Sequence, residues 1–142
     1  MSGGRTARAL VAAALLAACG SSTTGGGAGP DMRGTWDYTA TQNSPAATLA
    51  GTMTVTNQSD GSFTGSMSVT QTLNGIVTPL SGALTGIGVN NQTVEFDAFL
   101  NTSGRTHVGT VRADTVRGTW VEQLGGGSFL AGNFRAERWS TP

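Results

Sequence analysis

From Arg33 onward, glycine or an Asn-Gly-like pair interrupts the chain about every 8 to 14 residues, and no helical repeat of apolar residues runs between the breaks. Several short segments at such spacing, each bounded by turn residues, read as the strands of an all-β sandwich or barrel. Eight strands are expected, over 33–41, 47–57, 61–72, 77–89, 92–101, 104–113, 115–124 and 127–138. Within them, apolar and polar residues alternate. Met53 and Val55 share a face between threonines; Phe63, Met67 and Val69 oppose Thr64, Ser66, Ser68 and Thr70; Val94, Phe96, Ala98 and Leu100 turn away from Glu95 and Asp97. One face of each strand is therefore expected in a core and the other in water.

The turns specify how the strands connect. Ser59-Asp60-Gly61 and Thr102-Ser103-Gly104 place glycine where a hairpin needs positive φ, and Leu73-Asn74-Gly75 carries the Asn-Gly pair that favours a type I′ turn. Successive hairpins make an up-and-down meander, and closing eight strands into a barrel removes the exposed edges. Glycines inside the strands, at 51, 65, 82, 86, 109, 118 and 132, mark bends, bulges or close backbone approaches that a small barrel requires.

The N-terminus has another character. Arg5 and Arg8 precede an uninterrupted apolar stretch from Ala9 to Ala18 and then Cys19, the only cysteine. A basic start, a short apolar run and small residues before a cut are the parts of a helical secretory signal peptide, and the run is shorter than the roughly 20 residues that span a bilayer. Leu16-Ala17-Ala18-Cys19 resembles the lipobox of bacterial lipoproteins. That resemblance implies cleavage before Cys19, lipidation of its thiol and attachment to a membrane. Gly20, where Asp would signal retention in the inner membrane, implies the outer membrane of the cell envelope if the source is Gram-negative. The chain then divides into a signal peptide (1–18), a lipidated Cys with a flexible Gly/Ser-rich tether (19–32) and a β-barrel domain (33–142). With Cys19 lipidated, the barrel has no thiol for a disulfide and must stand on its core.

Charge narrows the partners. The processed chain carries six Arg, no Lys and eight carboxylates, a formal charge of −2 with no basic run. Nucleic acid is not an expected partner, because phosphate binding needs clustered cations. Catalytic machinery is also missing from the pattern. His107 is the lone histidine and reads as a solvated or hydrogen-bonded side chain; Glu95, Asp97, Asp114 and Glu122 lack metal-loop spacing; the serines lack a second base. The expectation is a non-enzyme without cofactor or metal.

The tetrapeptide Arg-Gly-Thr-Trp occurs twice, at 33–36 and 117–120. The first copy, Gly34-x-Trp36, with Arg135 or Arg138 in the last strand, resembles the calycin superfamily of lipocalins, avidins and related eight-stranded barrels. The resemblance implies a late Arg packed across Trp36 at the closed barrel end, a cation–π contact of about 0.5–2 kcal/mol. An avidin-like biotin site does not map onto the sequence. Trp36, Tyr38 and Trp120 are the candidates to line a mouth that holds a small or hydrophobic ligand; the competing reading assigns Trp36, Trp120 and Trp139 to the core. Two functions stay open: a lipid-anchored ligand-binding barrel, or an envelope protein-interaction module such as a protease inhibitor or assembly partner, for which a filled barrel interior would speak.

Overall fold

The structure, a computed structural model, describes residues 29–140. The expected signal peptide, Cys19 and most of the expected tether lie outside the described residues. Eight antiparallel strands follow one another: β1 (Gly34–Gln42), β2 (Ala47–Ser59), β3 (Ser62–Leu73), β4 (Ile76–Gly88), β5 (Thr93–Leu100), β6 (Ser103–Arg112), β7 (Thr115–Gln123) and β8 (Phe129–Arg138). Each pairs with the next, and β8 returns to pair with β1, Trp36 opposite Arg138 and Gln42 opposite Gly132, so the sheet closes into an up-and-down barrel. There is no helix among the described residues.

The expected alternation places the core. Met53, Val55, Phe63, Met67, Val69, Val94, Phe96, Ala98 and Leu100 are all buried in one apolar cluster with Trp36, Tyr38, Leu84, Trp120 and Phe134. The threonines and serines between them face outward.

Four hairpins use two-residue connections. Asp60–Gly61 and Asn74–Gly75 both take positive φ at both positions, as the type I′ geometry of a right-twisted hairpin demands. The turn expected at Thr102-Ser103-Gly104 is built differently. Asn101 takes the positive φ of 58°, while Gly104 sits inside β6 with its open side toward the Phe99 ring. Asn tolerates that conformation, and here its carboxamide oxygen also accepts the Ser81 N–H at 3.2 Å. The last strand starts two residues later than expected, because Gly125, Gly126 and Gly127 all have positive φ and form the β7–β8 loop.

The interior glycines are close approaches. A Cβ on Gly82 would stand 1.6 Å from the Phe99 carbonyl oxygen, and one on Gly132 1.6 Å from that of Thr41. Gly86 and Gly109 instead make room for the rings of Phe63 and Phe134. Tightly coiled strands bring facing backbones this near only where no side chain intervenes.

The two barrel ends differ. At the lower end, where β1 begins and β8 finishes, residues expected in the tether are packed into the domain. Met32 is fully buried, its N–H donates to Gln58 Oε1 at 2.7 Å, and Gln58 Nε2 donates to the Pro30 carbonyl at 2.8 Å. Trp36 is fully buried beneath this segment and donates its indole N–H to the Met32 carbonyl at 2.9 Å. Arg138 lies across the Trp36 ring, 4.2 Å from its centroid. It donates to the carbonyls of Arg33 and Asp31 and, at 3.1 Å, to the Asp114 carboxylate. Of the two arginines expected over Trp36, Arg138 is the one; Arg135 points outward and pairs with Glu137.

Candidate functional site

At the upper end nothing among the described residues covers the barrel as Met32 and Arg138 do below. The ends of β1, β3, β4, β5, β6, β7 and β8 surround a cavity of about 330 Å³ lined by Leu73, Leu80, Leu100 and Leu130 together with Gln42, Gln71, Arg105 and Glu122. Pro45 and the Asn101–Thr102 turn form part of the rim.

The polar residues face inward because of strand parity. In β6, Arg105 stands two residues from His107, and His107 two from Gly109 and four from Val111, so all share the inner face. In β7 the same period puts Glu122 on the face of Trp120 and Val116. Arg105 and Glu122 are each 5% exposed, and Arg105 Nε donates to Glu122 Oε1 at 3.0 Å. Arg105 Nη2 donates to Gln71 Oε1 at 3.1 Å, and the guanidinium sits 4.7 Å from the centre of the Trp120 ring. Gln42 donates its Nε2 to the Pro45 carbonyl at 2.7 Å. Two buried polar atoms at this site, Gln42 Oε1 and Arg105 Nη1, have no partner among the described residues.

Beneath the mouth the interior is filled and neutral. Tyr38 O–H and His107 Nε2 are 2.8 Å apart, and His107 Nδ1 is 3.1 Å from the Arg105 carbonyl. A carbonyl only accepts, so Nδ1 carries the proton, and the Tyr38 hydroxyl donates to Nε2. Burial holds the His107 pKa down at about 4, with the Arg105 charge contributing in the same direction against the hydrogen bond to the Arg105 backbone. Burial likewise pushes the Tyr38 hydroxyl well above its usual range. His107 stacks on Phe96 at 4.4 Å and meets Phe134 edge-on at 5.0 Å.

The three residues expected at a ligand mouth are distributed along the barrel. Trp36 is in the lower seal, Tyr38 is at mid-depth against His107, and Trp120 lies under Arg105 with its indole N–H donating to the Thr41 carbonyl at 3.1 Å. None of the three lines the upper cavity. Trp139 is on the outside, bonded through its indole N–H to Asp37. Glu95 and Asp97 lie on the outer face of β5, Glu95 exposed and Asp97 accepting the Thr106 hydroxyl at 2.7 Å. Among the described residues no three His, Cys, Asp or Glu side chains gather as metal ligands would. The mouth residues Gln42, Gln71, Arg105 and Glu122 were not expected. The signal available was parity, Arg105 with His107 and Glu122 with Trp120.

The sequence matches no protein family and no curated protein. Its fold is similar to solved barrels. EF1p2_mFAP2b bound to DFHBI superposes with a TM-score of 0.63 at 14% identity, over 75% of this chain and 93% of that one. A redesigned β-barrel, mFAP1, also bound to DFHBI, gives 0.55 at 18% identity over 75% and 94%. A fluorescence-activating β-barrel designed de novo gives 0.53 at 15% over 75% and 93%. The fold is thus a closed, up-and-down barrel of eight antiparallel strands. At these identities the likeness concerns the fold alone.

Proposed function

We propose that this chain is a lipid-anchored binding barrel of the cell envelope, without catalytic activity, which takes a small, largely apolar molecule into its upper mouth. The observation that carries the reading is the cavity of about 330 Å³, apolar along its leucine walls and polar at the buried Arg105–Glu122 pair. Apolar walls with a few convergent polar groups are what small-molecule sites have in common. Two of the similar barrels are bound to DFHBI, which fits the reading without extending it. The anchor rests on the lipobox-like Leu16-Ala17-Ala18-Cys19.

A neutral fluorescent probe, N-phenyl-1-naphthylamine, tests the mouth. Its emission should rise on binding, and a Leu80→Trp change, which fills the cavity, should remove that rise without unfolding the barrel. Equal emission from both proteins would place the probe elsewhere and count against the reading. The anchor is tested separately: Cys19→Ser should end incorporation of labelled palmitate in the producing cell while leaving the barrel's thermal midpoint unchanged. Retained label would refute lipidation at this thiol.

A second reading, docking of an envelope protein, is favoured by the rim. β4 pairs with β5 only over Leu84–Gly88, and the β3–β4 hairpin reaches past it with Ile76 and Val77 well exposed. Extended partners add to such edges, although Pro79 removes one donor there. Ile76→Lys with Val77→Lys should abolish in-cell crosslinking to a partner under this reading and leave probe binding untouched.

A further inference from the structure

The polar atoms at the mouth describe the ligand's head group. Arg105 has its charge offset by Glu122 at 3.0 Å and two of its three nitrogens engaged, by Glu122 and by Gln71. What remains unmet is donor capacity on Nη1. Gln42 is oriented by its bond to the Pro45 carbonyl, which only accepts, so Nε2 is committed and Oε1 remains as an unmet acceptor. Both residues are 5% exposed and both line the same cavity, while the two unpartnered atoms are themselves covered, so a ligand meets them once the side chains turn toward the cavity. Buried groups left without partners are costly, and a ligand that completes both recovers that cost.

The site therefore offers one N–H to an acceptor and one oxygen to a donor, around an ion pair that is already balanced. A carboxylate head would set a second negative charge against Glu122 and the Gln42 oxygen. An ammonium head would face the Arg105 guanidinium. Either would also lose its hydration to leucine walls with no opposite charge left to offset it. A neutral group with both functions meets neither obstacle. Resting on the binding reading above, we propose that the upper mouth recognises a neutral amide-type head group, a carboxamide, lactam or urea, whose carbonyl accepts from Arg105 Nη1 and whose N–H donates to Gln42 Oε1. The apolar remainder of the ligand lies along Leu73, Leu80, Leu100 and Leu130.

Four probes with one tail separate the possibilities: octanamide, octanoate, octylammonium and N,N-dimethyloctanamide, each titrated against N-phenyl-1-naphthylamine on the unaltered protein at pH 7.5. Octanamide should displace the dye at a concentration at least about tenfold lower than either charged probe, the size expected of one well-made buried hydrogen bond. N,N-dimethyloctanamide keeps the carbonyl but has no N–H, and should lose most of that advantage. Gln42→Met removes the acceptor and should bring octanamide and its dimethyl form together. If that variant does not fold, the dimethyl comparison on the unaltered protein still decides. Tighter or equal binding of octanoate or octylammonium would overturn the head-group assignment while the mouth remained a binding site. Failure of all four to displace a dye that Leu80→Trp does exclude would overturn the assignment too. A dye indifferent to Leu80→Trp would instead bring down the binding reading, and this inference with it.

Discussion

Both ends of the barrel set an arginine over a tryptophan, and the two pairs do opposite things. At the lower end Arg138 has all three guanidinium nitrogens engaged, and its side chain keeps 23% of its exposure. It ties the entering chain to β8 and closes the barrel over Trp36. At the upper end Arg105 is buried over Trp120, held by Glu122 and Gln71, and one nitrogen is left without a partner beside an open cavity. A saturated, partly solvated charge makes a lid. A buried, incompletely satisfied one suits the recognition proposed above, because desolvation has already been incurred and only a matching group recovers it. The same tetrapeptide, Arg-Gly-Thr-Trp, leads into each tryptophan, so the local sequence does not determine which role follows.

The largest expected effect lies at the sealed end. Trp36 is fully buried, with Met32 on one side and Arg138 across its face. Trp36→Ala should cost about 4 kcal/mol, read as a shift in the urea midpoint with unchanged slope, since the cavity left behind cannot collapse around a closed rim. A cost below about 1.5 kcal/mol would mean that the lower end is not a plug, and the contrast between the ends would lose one side.

The arginines themselves sharpen the contrast next. Arg105→Met leaves the Glu122 carboxylate buried and unpaired and should cost about 3 kcal/mol; Arg138→Met frees only solvated partners and should cost about 1 kcal/mol. The double change Arg105→Met with Glu122→Leu should recover most of the loss, because a buried ion pair replaced by apolar side chains is close to neutral. Equal costs for the two single changes would erase the distinction between lid and recognition surface.

The same residues mark how far the sequence reached. The strand count and pairing were legible because glycine spacing and the alternation in β2, β3 and β5 are local properties, and Asp60–Gly61 and Asn74–Gly75 encode their own turns. Arg138 over Trp36 was legible only as one of two choices with Arg135, since both lie late in the same strand. The mouth was not legible. Val108 and Val111 in β6 are three residues apart and cannot share a face, and the outward turn of Val108 leaves Arg105, His107 and Val111 inside. Two of the mouth's contacts join residues 17 and 34 positions apart. Arg105 and Glu122 oppose each other by continuing the β6–β7 hairpin register, whereas Gln71 reaches Arg105 from β3 only because the sheet curls closed, which no local pattern states.

Between the ends lies His107, and its titration tests how far the mouth's water penetrates. The folded barrel keeps the ring neutral down to about pH 4, whereas the unfolded chain takes up a proton below about 6.5. In that interval the unfolded state binds more protons, so stability is full above pH 6.5, falls as the pH drops and levels off near 4. The loss between pH 7.5 and pH 5 should be about 2 kcal/mol by chemical denaturation. Asp31, whose carboxyl the Arg33 side chain holds below its usual range against a small opposing desolvation, contributes in the other window: its stabilisation is present above about 3.8 and is lost only below it. His107→Gln should therefore flatten the profile from pH 7.5 to 5 while leaving the acid limb in place. A slope that survives this substitution belongs to another group. No slope in the unaltered protein would mean that water reaches the ring through the mouth. The polar floor at Arg105 would then be no floor, and the sealed interior would begin lower, at Trp36.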